Sequence, residues 1–156
     1  MSNKLSYASG ASDRPLLGNT IGQVFDNIAN KFPDREALVS VHQNTRFTYA
    51  ELAIKVNELA KAFISAGLKK GDRVGIWSSN NAEWLLTQYA AAKAGVILVT
   101  INPAYRSHEL EYVLGQSGCK GLVFQNQFKT SDYESMICEI VPEVKDAIPG
   151  KIQSNK

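Results

Sequence analysis

Cysteine is scarce in this chain. Cys119 and Cys138 are the only two among 156 residues, too few for the disulfide framework of a small secreted domain. No Asn-X-Ser/Thr acceptor occurs and no apolar leader follows Met1, so the sequence predicts a reducing, intracellular compartment. An excess of one charge is also missing: 17 Lys and Arg stand against 15 Asp and Glu, a net charge of +2. Nucleic-acid binding normally shows as a basic surplus, so no nucleic-acid partner is expected. Long hydrophobic runs are absent too. The richest stretch, around Ala94–Ile101, falls well short of the ~20 apolar residues a membrane-spanning helix needs. Finally, there is no G-x-x-x-x-G-K-[ST], no G-x-G-x-x-G and no G-x-S-x-G. Gly115-Gln116-Ser117-Gly118 has the wrong spacing for a nucleophile elbow.

What is present suits a folded domain: 44% hydrophobic and 21% charged residues, enough apolar material for a core. Residues 1–19 lack periodicity and read as an arm. Their serines (2, 6, 9 and 12) come without an amphipathic period, a poor mitochondrial transit peptide. From Thr20 a helix is expected, with Ile21, Val24, Phe25, Ile28 and Phe32 on one stripe and Pro33 as its stop. Ala37–Val41 and Arg46–Thr48 flank turn residues and predict a β-hairpin. Thr48 and Glu51 form a capping box for a helix with Leu52, Val56, Leu59, Phe63 and Ala66 on one face. Gly67 is its left-handed stop.

Further on, Arg73–Trp77 reads as a strand. Asn81 and its neighbours offer caps for a helix over Ala82–Ala94, closed by Gly95. The β-branched run Val96–Ile101 predicts a strand buried on both faces. Ser107 caps a helix carrying Leu110, Val113 and Leu114, and Leu122–Phe124 is another short buried strand. Tyr133–Val141 is helical up to Pro142. Strands alternating with helices predict an α/β fold, a mainly parallel sheet flanked by helices plus the short hairpin. Residues 20–142 make up this unit and 143–156 a polar tail.

Candidate chemistry is thin. His42 and His108 lie far apart, with no Cys or carboxylate at ligand spacing, so no metal site is expected. His42 suits the hairpin turn and His108 the first turn of a helix. Cys119 and Cys138 read as small buried hydrophobes. Gly67, Gly71 and Gly75 suit a helix cap, a turn and close strand packing. Glu51, Lys55 and Glu58 read as a solvated helix face. Asn102 and Tyr105, in Asn102-Pro103-Ala104-Tyr105, are the weak candidates for a substrate-binding site, because ligands of parallel sheets gather at the carboxyl ends of strands. A rigid turn with Tyr105 packed on it is the competing reading, and the favoured one.

Ordered blocks of text carry a resemblance. Arg46-Phe47-Thr48-Tyr49-Ala50-Glu51-Leu52, Gly67–Trp77, Ser79–Trp84 and Ala94–Tyr105 resemble, in that order, the start of the adenylate-forming (AMP-binding) acyl-CoA synthetase superfamily. Glu109–Leu114, Gly118–Phe124 and Gln127–Thr130 resemble its mitochondrial medium-chain acyl-CoA ligase branch. The resemblance runs from about Leu5 to Ile152. It implies an AMP-forming ligase of fatty acid metabolism that joins a fatty acid to coenzyme A with ATP and Mg2+. A mitochondrial location follows by resemblance, although the weak transit signal leaves a cytoplasmic one open.

Such chemistry needs a Ser/Thr/Gly-rich loop for the triphosphate, an acidic grip on the ribose and a lysine at the adenylate oxyanion. In the family these lie beyond the matched region, and none is found in this sequence. The resemblance therefore assigns no catalytic, cofactor-binding or metal-ligating residue here, and implies an incomplete N-terminal subdomain that is inactive alone. A self-standing, non-catalytic α/β binding or interaction module is the alternative. The helix over Ala82–Ala94, apolar nearly all round, is expected to need cover that one sheet face does not supply. An exposed patch around Trp84 and Tyr89 is expected to follow, with binding of a hydrophobic dye, self-association or recruitment of a partner through it.

Overall fold

The computed structural model describes residues 10, 13 and 16–146. In chain order they form α1 (Ile21–Lys31), β1 (Glu36–Ser40), β2 (Thr45–Thr48), α2 (Tyr49–Ser65), β3 (Arg73–Trp77), α3 (Ala82–Ala94), β4 (Ile97–Ile101), α4 (Ser107–Ser117), β5 (Cys119–Phe124), β6 (Gln127–Phe128), β7 (Ser131–Asp132) and α5 (Tyr133–Ile140). Short 3-10 segments cover Val41–Gln43 and Pro142–Asp146. Most of the expected 1–19 arm, and the tail beyond residue 146, lie outside the described residues.

Local chemistry sets the helix ends. Thr48 Oγ1 accepts the Glu51 N–H and the Glu51 carboxylate accepts the Thr48 N–H at 2.8 Å, the expected capping box. Thr20 and Gln23 make a second one at the start of α1. The Asn81 side chain caps α3 through the Trp84 N–H at 2.8 Å, and Gly95 ends it at φ +72°, a conformation that costs a Cβ-bearing residue energy. Ser107, expected as a cap, is instead the first helical residue of α4. Arg106 holds the cap position, its N–H donating to the Glu109 carboxylate at 3.1 Å. The Ser107 hydroxyl is thereby free to donate to Glu139 on α5 at 2.6 Å.

β1 and β2 pair antiparallel as the expected hairpin. β3, β4 and β5 form a parallel sheet in the order β4-β3-β5, with Val74 beside Leu98 on one side and Gly121 on the other. Phe63, Val74, Ala90, Ala91 and Val96 pack on the sheet face covered by α2 and α3. Trp77, Ile101, Leu110, Tyr133, Met136, Ile137 and Ile140 pack on the opposite face, under α4 and α5. A third cluster, Phe25, Leu52 and Val56, binds α1 and α2 to the hairpin and α3. The short antiparallel pair of β6 and β7 then leads into α5; no strand was expected there.

Two expectations are corrected. The β-branched run of β4 is not buried on both faces: β4 is an edge strand, Ile97 is 53% exposed and Thr100 is exposed. The crossover through α3 sets β4 on one side of β3, and the one through α4 carries the chain back past β3 to β5 on the other, so β3 lies in the middle, where Val74, Ile76 and Trp77 are almost fully buried. β5, the other edge, is half-buried rather than buried. The second correction concerns α3. It is apolar on all sides, as read, but α1 and α2 supply the second cover from within the chain. Tyr89 stacks on Phe25 with ring centroids 4.5 Å apart, Trp84 is half-buried, and Lys93 is ion-paired with Asp26 of α1. The expected exposed patch on this helix is absent.

Candidate functional site at the carboxyl edge of the sheet

In an open parallel sheet the ligand crevice lies at the carboxyl ends of strands, where successive connections leave on opposite faces. Here that point is the end of β3, flanked by the ends of β4 and β5. Ser78 and Ser79 follow β3, and Gln125 follows β5. The Gln125 carboxamide oxygen accepts from the Ser78 hydroxyl at 3.0 Å, the Ser79 N–H at 3.0 Å and the Ser79 hydroxyl at 2.8 Å. Its Nε2 donates to the Gln127 carbonyl, and Asn81 Nδ2 donates to Ser78 Oγ at 2.9 Å. These residues tie the two loops together.

Asn102 and Tyr105 do stand at this edge. The Asn102 carbonyl accepts from Trp77 Nε1 at 3.1 Å, and its side-chain oxygen accepts the Ala104 N–H at 2.9 Å. The Tyr133 hydroxyl donates to the Pro103 carbonyl, and Tyr105 packs against the core on this face. These are the contacts a rigid turn makes at this position. Neither lines the two grooves. A 330 Å³ groove lies among Leu17, Ile21, Val24, Phe25, Tyr49 and Tyr89, and a 420 Å³ groove among Val39, Val41, His42, Asn81, Trp84 and Leu85. The Ser78–Ser79–Gln125 network was not anticipated; its one sequence signal is polar residues immediately after two strands.

Among the described residues, no three His, Cys, Asp or Glu converge on a point that could hold a metal. Every buried side-chain nitrogen or oxygen among the described residues has a hydrogen-bond partner. His42 sits in the hairpin turn and His108 in the first turn of α4, both exposed. Cys119, half-buried, opens β5 with its Sγ 3.1 Å from Ser117 Oγ, at the opposite end of the sheet. Gly67 and Gly71 adopt φ +92° and +87° at the helix end and the turn. A Cβ on Gly75 would come 2.9 Å from Leu122, which fits its packing role.

The opposite, amino edge carries the clearest electrostatics. Asp72 accepts from Lys120 at 2.8 Å and from the Lys69 N–H at 2.8 Å. These two bonds hold its carboxyl below the ordinary value of 3.8. A depressed carboxylate contributes stability that is present above its unfolded pKa and lost as the pH falls through the folded one. Asp72→Asn is therefore expected to flatten the fall in stability below about pH 4, read by urea unfolding at a series of pH values. An acid limb unchanged by the substitution would refute this.

Residues 25–153 match the family model described as AMP-binding enzyme. The chain belongs to that family. It is 48% identical over 152 residues to the mitochondrial medium-chain acyl-CoA ligase ACSF2 of Mus musculus, a match covering 97% of this chain and 25% of the relative. To the putative acyl-CoA synthetase YngI of Bacillus subtilis it is 38% identical, covering 90% of this chain and 26% of the relative. Among solved structures, the N-terminal domain of FACL13 from Mycobacterium tuberculosis superposes with a TM-score of 0.66 at 31% identity, over 67% of this chain and 26% of that one. The chain thus spans about a quarter of the length of these curated relatives. The family uses ATP, Mg2+ and coenzyme A.

Proposed function

We propose that this chain is the N-terminal part of an ATP-dependent, AMP-forming fatty acid–CoA ligase. The overall reaction is fatty acid + ATP + CoA → acyl-CoA + AMP + pyrophosphate. The observation that carries the reading is the 48% identity to mouse ACSF2 across 97% of the chain, and the likeness to acyl-CoA synthetase N-terminal domains is consistent with it. Residues 20–142 act as scaffold: they set a parallel sheet between two helical layers and lock its carboxyl-edge loops together. The triphosphate loop, ribose grip and oxyanion lysine come from the remainder of such an enzyme, so the 156-residue chain is inactive alone. A mitochondrial setting and a fatty acid substrate are proposed on the same relatives.

Two measurements test this. ATP–pyrophosphate exchange by the isolated chain, across medium- and long-chain acids, is expected to stay at background. Exchange that scales with chain concentration and survives repurification would refute inactivity. Joined to the remaining three quarters of mouse ACSF2, the same residues are expected to restore acyl-CoA formation that those three quarters lack alone. A folded chimera with no activity would favour the non-catalytic interaction module.

A further inference from the structure

Residues 78–83, which carry the chain from β3 into α3, are gripped from two sides by glutamines remote in sequence. On one side stands Gln125, whose carboxamide oxygen takes the Ser78 hydroxyl and both the N–H and the hydroxyl of Ser79. On the other stands Gln43, at the end of the hairpin turn. Its Oε1 accepts the Ala82 N–H at 2.7 Å and the Ser40 hydroxyl at 2.6 Å, and its Nε2 donates to the Glu83 carboxylate at 2.8 Å. Gln43 is thus a helix cap supplied from 39 residues away. Asn81 takes the Trp84 N–H of α3, and Gln43 takes that of Ala82, which is only 3% exposed. The first N–H groups of a helix have no partner within it, and a buried one left unpaired keeps its full desolvation cost.

Among the described residues the hairpin turn has few other holds. β1 and β2 form a sheet of their own, unpaired with β3, β4 or β5. Leu38 and Phe47 fix the strands to the third apolar cluster, whereas Val39 and Val41 join none of the three. From the turn the contact runs onward: Asn81, beside Ala82, donates through Nδ2 to Ser78 Oγ, which reaches Gln125. We infer that Gln43 and Gln125 are paired latches of one conformational unit. The hairpin turn, residues 78–83 and the loop after β5 open together, short of global unfolding, and release of either latch loosens the other. Ser79 and Ala82 are three residues apart on one short connection. Losing Gln43 frays the first turn of α3, frees Asn81, and takes the Ser78 and Ser79 donors off their aim at Gln125. A coupling of this kind is a free energy shared by both contacts, so it runs equally in both directions. The hairpin turn is thereby linked to the carboxyl edge of the parallel sheet.

Site-resolved amide exchange on the 156-residue chain tests the unit. The amides to follow are Asn44, bonded to the Val41 carbonyl, Ser79, bonded to Gln125, and Ala82, bonded to Gln43. Gln43→Met keeps the length of the side chain and loses its bonds. It is expected to speed exchange at all three amides roughly tenfold or more, the scale of one buried N–H left without a partner, with Val56 and Val74 unchanged. Gln125→Met is expected to do the same from the other side, reaching Asn44 in the hairpin. Exchanging the two groups, Gln43→Glu with Glu83→Gln, keeps an acceptor for Ala82 and a donor between the pair, and is expected to return exchange to the parent rates. Should a methionine variant not fold, the parent decides: with rising urea the three amides converge on one opening constant, larger than that of Val74. Faster exchange confined to the amide bonded to the substituted glutamine would overturn the unit. So would a uniform rise that includes Val56 and Val74, an exchanged pair as fast as Gln43→Met, or separate opening constants in the parent.

Discussion

Replacing Trp77 by alanine is expected to destabilise the chain by ~3–5 kcal/mol, the range for deleting a large core aromatic. Trp77 ends the central strand with 0% of its surface exposed, and its ring lies 3.5 Å from that of Tyr133 at an interplanar angle of 3°. Its Nε1–H donates to the Asn102 carbonyl at 3.1 Å. One side chain thus joins β3, the turn after β4 and the start of α5. Deletion leaves a void that neighbours on three elements would have to move together to fill, and the Asn102 carbonyl loses one of its two donors, keeping the Tyr105 N–H at 3.1 Å. Trp77→Phe keeps most of the apolar contact and loses the hydrogen bond, so it is expected to cost much less. Urea unfolding followed by far-UV circular dichroism distinguishes the two. A loss under ~1 kcal/mol for the alanine variant would mean that this layer is not packed as described.

Leu110→Ala is the second large effect, expected at ~2–5 kcal/mol. Leu110 is the one fully buried residue of α4, at 0% exposure. Val113 and Leu114 are half-buried, and Tyr112 points to solvent. Leu110 is the most deeply buried of the side chains that hold the helix to its face of the sheet, with Val113 and Leu114 packed beside it and bonds from Ser107 to Glu139 and from Arg73 Nε to the Ser117 carbonyl at its two ends. Truncation is expected to lower overall stability and to speed amide exchange selectively in Ser107–Ser117, because that segment loses its anchor before the central strand does. Uniform exchange across α4 and β3 in the variant would contradict an independent weakening of the helix.

The features legible in the sequence are those settled by neighbours a few residues apart. Thr48 and Glu51, Asn81 with the first turn of α3, and Gly95 each complete their interaction within about one helical turn, so text alone exposes them. Thr20 with Gln23 was equally local and equally readable. The alternation of strands and helices was legible because a parallel sheet requires crossovers. The Ser78–Ser79–Gln125 network was not: its partners are 46 and 47 residues apart, and three common polar residues have no spacing that marks them out. Asn102 and Tyr105 could be placed at the carboxyl edge from the strand before them, whereas their use in a turn became visible only with Trp77 and Tyr133 alongside.

The sequence by itself determined the family, through ordered blocks of text, and the position and type of the main helices and strands, through side-chain period and end chemistry. Tertiary structure alone decided which strand is central and which helix face is covered. A run such as Ile97–Ile101 is equally apolar at the centre of a sheet or at its edge, because its place depends on where the crossovers send the next strand. The all-apolar α3 likewise gives no sign of what covers it, because α1 and α2 meet it from residues far earlier in the chain. Both outcomes rest on long-range packing, which no window of local sequence contains.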